Sequence, residues 1–228
     1  MNFYEYHVHP EIDLEGMVEI LRKLGWSGAC FVCESFEMIR ETRKKLENIE
    51  TNLDIAFGYK IKTEKTNNIP KLARKFRKRV ELILVHGGDI EINRKACETP
   101  EVDILAHPEL GRNDSGLDYV MAKFAKENHV AIEFNFRSLL MSYKKSRSDV
   151  FARMLENAKL VKKYKTPFVI TSGALEPWDA RSPSEMTAFG KILGLNPRDI
   201  KANLSGARIE ENRKRLSGKW VMPGVEVE

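Results

Sequence analysis

A chain of 228 residues with 42% hydrophobic and 31% charged side chains is long enough for one α/β domain with a substantial core. No apolar run approaches the ~20 residues that cross a bilayer, and the start Asn2-Phe3-Tyr4-Glu5 does not read as a secretory leader, so no membrane partner and a cytoplasmic location are expected. Thirty-eight Lys and Arg against 33 Asp and Glu leave a formal net charge of +5, an excess that permits an anionic partner without identifying one.

Taken in chain order, the pattern predicts strands over Phe3–His9, Ala29–Glu34, Ile55–Ile61, Glu81–His86, Asp103–His107, Ala131–Phe136 and Phe168–Thr171. Helices are predicted between them over Leu14–Leu24, Phe36–Ile49, Ile69–Arg79, Ile90–Glu98, Leu117–Asn128 and Asp149–Tyr164. Leu14, Val18, Leu21 and Leu24 share one face of the first helix. Ser115 is placed to cap the fifth helix, and Ser148 or Asp149 the sixth. A helical tail follows from Glu185 to Leu216, punctuated by Gly194 and Pro197, and Met222 to Glu228 read as a loose end. Regular alternation of strand and helix calls for a parallel sheet with right-handed crossovers. The expected architecture is therefore α/β and TIM-barrel-like, irregular because about seven strands are legible and no eighth. It forms a single domain over 1–228 with a helical C-terminal portion over 183–218. Cys30 and Cys33 are three apart on one strand, so their thiols point to opposite faces and read as buried structural groups rather than a metal clamp.

Functional groups of such barrels gather at the carboxyl ends of the strands. His7 and His9 form an H-x-H on the first strand, His86 and His107 end the fourth and fifth, and Glu133 lies on the sixth. Imidazoles and a carboxylate suit Zn, Mn or Fe. The layout resembles barrel hydrolases of the polymerase-and-histidinol-phosphatase type, and it leaves a metal-dependent phosphoesterase as the alternative function. The last strand offers Thr171 and Ser172 where such a site needs an acid, so a vestigial divalent-metal site, or plain hydrogen-bonded histidines, are the other readings. His129, at a helix end, reads as a capping or surface residue.

The cations are distributed in runs. Lys71 to Arg79 holds six Lys or Arg in nine positions, and Lys144–Arg147, Lys159–Lys165 and Arg213–Arg215 repeat the theme. One such run is ordinarily a solvated helix face; four together favour a polyanion. The loop Gly87-Gly88-Asp89 enters a helix and could bring backbone amides to a phosphate. Arg94, Arg112, Arg137 and Arg181 follow four different strands, either as local ion pairs or as a ring of phosphate forks.

Several stretches in order carry a family resemblance: Leu84-Val85-His86-Gly87-Gly88-Asp89 with Asn93-Arg94, Val102-Asp103-Ile104-Leu105-Ala106-His107-Pro108, Ala131-Ile132-Glu133-Phe134-Asn135-Phe136, and Val169-Ile170-Thr171-Ser172-Gly173-Ala174 running on through Arg181-Ser182-Pro183 to Leu195. They resemble the ribonuclease P protein component 3 family, the archaeal counterparts of the eukaryotic 30-kilodalton ribonuclease P subunit. The resemblance implies a barrel-like protein in the ribonucleoprotein that removes 5′ leaders from precursor tRNA. Catalysis would belong to the RNA and its Mg, and the polypeptide would need no cofactor of its own. The implied partners are ribonuclease P RNA, precursor tRNA through the complex, ribonuclease P protein component 2 and other protein subunits; an assembly module that binds protein alone is a further option. Carried over by motif, the implied RNA contacts are Arg94, Arg112 and Arg181, then Lys163 and Lys201, then Lys123 or Lys126. The four histidines are a departure from the family pattern.

Overall fold

Runs of Val, Ile, Leu and Phe too short for buried helices alternate with amphipathic stretches, and the computed structural model shows what that alternation builds. It describes residues 2–217 and the backbone of 220–222 and 225–226. In chain order the elements are β1 (Tyr4–Val8), α1 (Leu14–Lys23), β2 (Gly28–Cys33), α2 (Phe36–Leu46), β3 (Asp54–Ile61), α3 (Asn68–Phe76), β4 (Leu82–His86), α4 (Ile90–Cys97), β5 (Ile104–Ala106), α5 (Tyr119–Glu127), β6 (Ala131–Asn135), α6 (Phe136–Leu140), α7 (Lys144–Tyr164) and β7 (Phe168–Thr171). A 3-10 turn (Pro177–Asp179) leads into α8 (Pro183–Ile192), α9 (Pro197–Asn203) and α10 (Ala207–Leu216), and then β8 (Trp220–Met222) and β9 (Val225–Glu226).

The seven strands β1 to β7 pair in sequence order, and every pair is parallel. Between β7 and β1 the ladder gives way to a bridge from Val8 to Ala174 and one bond from His9 N–H to the Ala174 carbonyl at 2.9 Å. The barrel is nearly closed, with its weakest seam there. The β8–β9 pair is antiparallel and separate from the barrel sheet, so the described part of the expected loose end is paired as strands, while 223–224 and 227–228 lie outside the described residues.

Side-chain alternation divides the apolar residues into two sets. Cys30, Val32, Ala56, Leu82, Leu84, Ile104, Ala131 and Val169 fill the barrel interior with Tyr4 and Tyr6. Phe31, Cys33, Ile83, Val85, Leu105 and Ile132 face outward into the helical layer, against Met17, Ile39, Ile69, Met121 and Met154. Cys30 and Cys33 thus lie on opposite faces, both buried and unbridged. Interior packing is tight at Gly58, where a Cβ would sit 2.9 Å from Leu84 Cδ1 and 3.2 Å from Cys30 Sγ.

Side-chain oxygens start the helices at free backbone amides. Asp13, Ser35, Asp89, Asp118, Ser182 and Asn196 cap α1, α2, α4, α5, α8 and α9. Two cap expectations are corrected. Gly116 takes a positive φ of 69°, which turns the chain before Asp118, so Asp118 rather than Ser115 caps α5; the Ser115 hydroxyl donates to the Leu117 carbonyl instead. The sixth predicted helix begins earlier, at Lys144 after Tyr143, with Ser148 and Asp149 inside it and a short α6 before it.

The C-terminal helices place the last piece of the interior. Helix α10 lies across the amino ends of the strands and inserts Ile209 into the inner cluster. Its Asn212 amide donates to the Glu81 carbonyl and to Asp103 Oδ1 at 3.0 Å. Arg208 donates to the carbonyls of Asp103 and His129, and Arg213 to Asp54 at 2.8 Å and to the Ile55 carbonyl. One end of the barrel is therefore stoppered, and the carboxyl-end mouth is left for other groups.

Candidate functional site

Four strands deliver the predicted ligands to that mouth. Glu133, buried on β6, accepts from His7 Nδ1 at 2.7 Å, from the Thr171 hydroxyl at 2.7 Å and from the Asn135 amide at 3.3 Å, all through one oxygen. Its second oxygen lies 3.8 Å from His107 Nδ1. The imidazoles form a chain: ring centroids are 4.9 Å apart for His7 and His9, 5.7 Å for His7 and His107, and 5.4 Å for His86 and His107. His9 leans outward toward Glu11 at 3.5 Å. The structure thus brings His7, His9, His86, His107 and Glu133 together. At the last strand Thr171 donates its hydroxyl to Glu133, and Ser172 presents its N–H to Glu5 at 3.0 Å.

Burial sets the charge of this cluster. Desolvation pulls His7 and His86 down to about 4 and lowers His107 as well, so the rings are neutral and carry lone pairs. Burial would raise Glu133, but the neighbouring His7 and His107 and the donors from His7 and Thr171 hold it below the usual carboxylate range. Valences remain unspent: His7 Nε2, His86 Nδ1 and the second oxygen of Glu133 are buried without a hydrogen-bond partner. His107 also holds a left-handed backbone, φ 52°, which a non-glycine residue adopts at some cost.

Three participants escaped the sequence reading. Glu5 is fully buried beside the cluster, pushed up to about 8 by desolvation despite the amides of Ser172 and His7. Glu109, 2% exposed, is pushed up to about 7 by burial, and both its oxygens lack partners. Lys60 is 6% exposed and pairs with Glu34 at 3.1 Å. Alternating strand position was the available signal for Glu5 and Lys60.

The predicted cations separate into two groups. On the mouth side, Arg112 is held by Asp114 at 2.5 and 2.7 Å and reaches the Gly88 carbonyl at 3.1 Å. Arg94 lies within α4, not on a loop, with Asp118 at 3.4 Å. Arg137 is 3.6 Å from Asp179. Arg181 meets the carbonyls of Trp178 and Ala180 and stacks 5.3 Å over Phe136. Beside it Trp178 is 81% exposed, an aromatic platform that the sequence pattern does not single out. Local pairing therefore accounts for Arg94, Arg112 and Arg137, while Arg181 rests on carbonyls. On the flank, Lys123 and Lys163 share a concave patch with Lys126, Lys165 and Tyr164, and both ammonium groups lie over the Tyr164 ring at 5.8 and 5.3 Å. Lys201 is exposed on α9.

Parts of two basic stretches are occupied within the fold. In Lys71–Arg79, Arg74 pairs with Glu101, Arg77 with Asp103, and Arg79 stacks on Phe36. Arg213 pairs with Asp54 and Glu81, and Arg215 bonds to Asn212. These cations fasten α3 and α10 to the barrel. The Gly87-Gly88 loop is also not an open phosphate cradle, because the Asp89 carboxylate takes the Glu91 and Ile92 amides and Asn93 takes that of Gly88.

Comparison with known proteins extends this picture over the whole chain. The family model described as RNase P subunit p30 matches residues 2–215. Ribonuclease P protein component 3 of Methanococcus maripaludis strain S2 is 36% identical over 227 residues, 97% of each chain. The protein of that name from Methanosarcina mazei is 35% identical over 230 residues, covering 99% of this chain and 95% of its own. Among solved structures, a chain of the cryo-EM structure of archaeal ribonuclease P with mature tRNA superposes with a TM-score of 0.84 at 31% identity, covering 97% of this chain and 96% of that one. Sequence motifs, barrel and full-length similarity agree: the chain belongs to the RNase P subunit p30 family and is a protein subunit of ribonuclease P.

Proposed function

We propose that this subunit binds ribonuclease P RNA electrostatically and leaves bond breaking to the RNA and its Mg. Its partners on this reading are that RNA, precursor tRNA through the complex, ribonuclease P protein component 2 and the other protein subunits, in the cytoplasm. The observation that carries it is the near-complete superposition on a chain of an archaeal ribonuclease P complex with tRNA. Arg181 and Trp178 form the preferred contact at the mouth, since a guanidinium fork matches phosphate and an exposed indole can stack an unpaired base. Arg112, Arg94 and Arg137 can exchange their local carboxylates for phosphate. Lys123, Lys163 and Lys201 supply a second, flanking set. Neutralising phosphates releases condensed counterions and lowers the Mg needed to fold the RNA. Reconstitution with cognate RNA and protein partners, with and without this chain, tests the reading. Omission is expected to raise the Mg requirement of precursor cleavage, and equal activity in both arms would refute it.

A further inference from the structure

The mouth cluster has unspent bonding capacity that RNA binding does not use. One donor atom from each of His7, His107 and Glu133 lies within 4.8 Å of the other two. Donors around one small divalent ion sit roughly 3–3.5 Å apart, so a slight contraction would close the site. Buried polar atoms are ordinarily satisfied, yet His7 Nε2 and the second Glu133 oxygen are fully enclosed and have no partner. An ion seated between the two would take the place of the proton that His7 Nδ1 now shares with Glu133 at 2.7 Å, so that each residue offers it one donor atom. His107 keeps its left-handed backbone while its ring stays in the cluster.

We propose that His7, His107 and Glu133 hold one divalent transition-metal ion of the zinc or manganese class, with His9 and His86 at its margin. Two imidazoles and one carboxylate select such an ion over Mg, which prefers oxygen ligands alone. The ion acts as a staple. His7 stands on β1 and Glu133 on β6, so together they span β7 and the sparse seam between β7 and β1. The proposal is independent of the RNA-binding reading and is tested on protein free of RNA.

Full-length protein stripped with chelator is equilibrated with micromolar Zn, Mn or Mg, and bound metal is counted by mass spectrometry. The expected result is one Zn or Mn per chain, no retained Mg, and a Tm raised by roughly 5–10 °C at saturating metal. Amide exchange of His9 at the seam slows on binding. Co as a spectroscopic probe gives visible bands that disappear in His107→Asn, a substitution that tolerates the left-handed backbone, and in Glu133→Gln. His129→Ala, away from the cluster, retains them. Wild-type protein that binds no Zn or Mn overturns the proposal whatever the variants do. Equal binding by folded His107→Asn overturns the ligand assignment, and bound metal without a Tm or exchange effect overturns the staple.

Discussion

The two ends of the barrel treat their carboxylates in opposite ways, although the Tyr4 hydroxyl and Arg215 Nε near the amino end also lack a hydrogen-bond partner. At the amino end Asp103 receives Arg77, the Asn212 amide and the Ile83 N–H, while Arg213 joins Asp54 and Glu81. At the mouth Glu133, Glu109, His7 and His86 each leave a buried atom without a partner. Paired carboxylates fix a structure, and unsatisfied ones are tolerated where something else can bind. One barrel thus separates a structural floor from a functional mouth.

Substitution at the floor should have the largest effect on stability. Asp103→Ala strands Arg77 and the Ile83 amide and is expected to cost about 3–5 kcal/mol, read by urea denaturation. A loss under about 1 kcal/mol, the scale of an exposed pair, would show the floor to be a solvated ion-pair surface. At the mouth, Arg181→Ala should leave the denaturation midpoint unchanged but weaken RNA-dependent cleavage on the order of tenfold, the worth of one charge-assisted contact of about 1.5 kcal/mol. Reconstituted cleavage under limiting protein measures it, and a stability loss without a cleavage loss would reverse the contrast. More finely, Arg181→Ala should lower the slope of log affinity against log salt by about 1, whereas Arg74→Ala, whose cation pairs with Glu101, should not change it. The smallest signal is a null one from the layer between the two ends. Burial pushes the Cys33 and Cys97 thiols up to about 12 and raises Cys30 well above its ordinary range, so iodoacetamide should label no cysteine of native protein at pH 8. Rapid labelling would mean that the middle of the barrel opens.

What the sequence revealed depended on how far apart the interacting residues are. Alternation of β and α, the seven strands and the opposed thiols of Cys30 and Cys33 follow from local periodicity, and all were legible. So were the four histidines, because each sits at or just beyond a strand end. Helix α6 was not, since five residues directly after β6 are too few to display a helical period. The cap of α5 required knowing that Gly116 turns the chain before Asp118. Within the basic runs, the individual pairings were hidden for a different reason. Arg77 finds Asp103 26 residues away and Arg213 finds Asp54 159 residues away, and no local pattern announces a partner at such distance. Glu5 and Lys60 were missed because a charge on a strand ordinarily reads as solvent-facing.

The position of α10 also has a consequence for synthesis. Asp54, Glu81 and Asp103 leave the ribosome long before Asn212 and Arg213, which complete their environment. Until then the nascent barrel is bottomless, with carboxylates gathered around an open apolar bore. Commitment to the finished shape therefore waits for the last described helix to emerge, and a chain cut short before residue 207 would be a tube without its stopper.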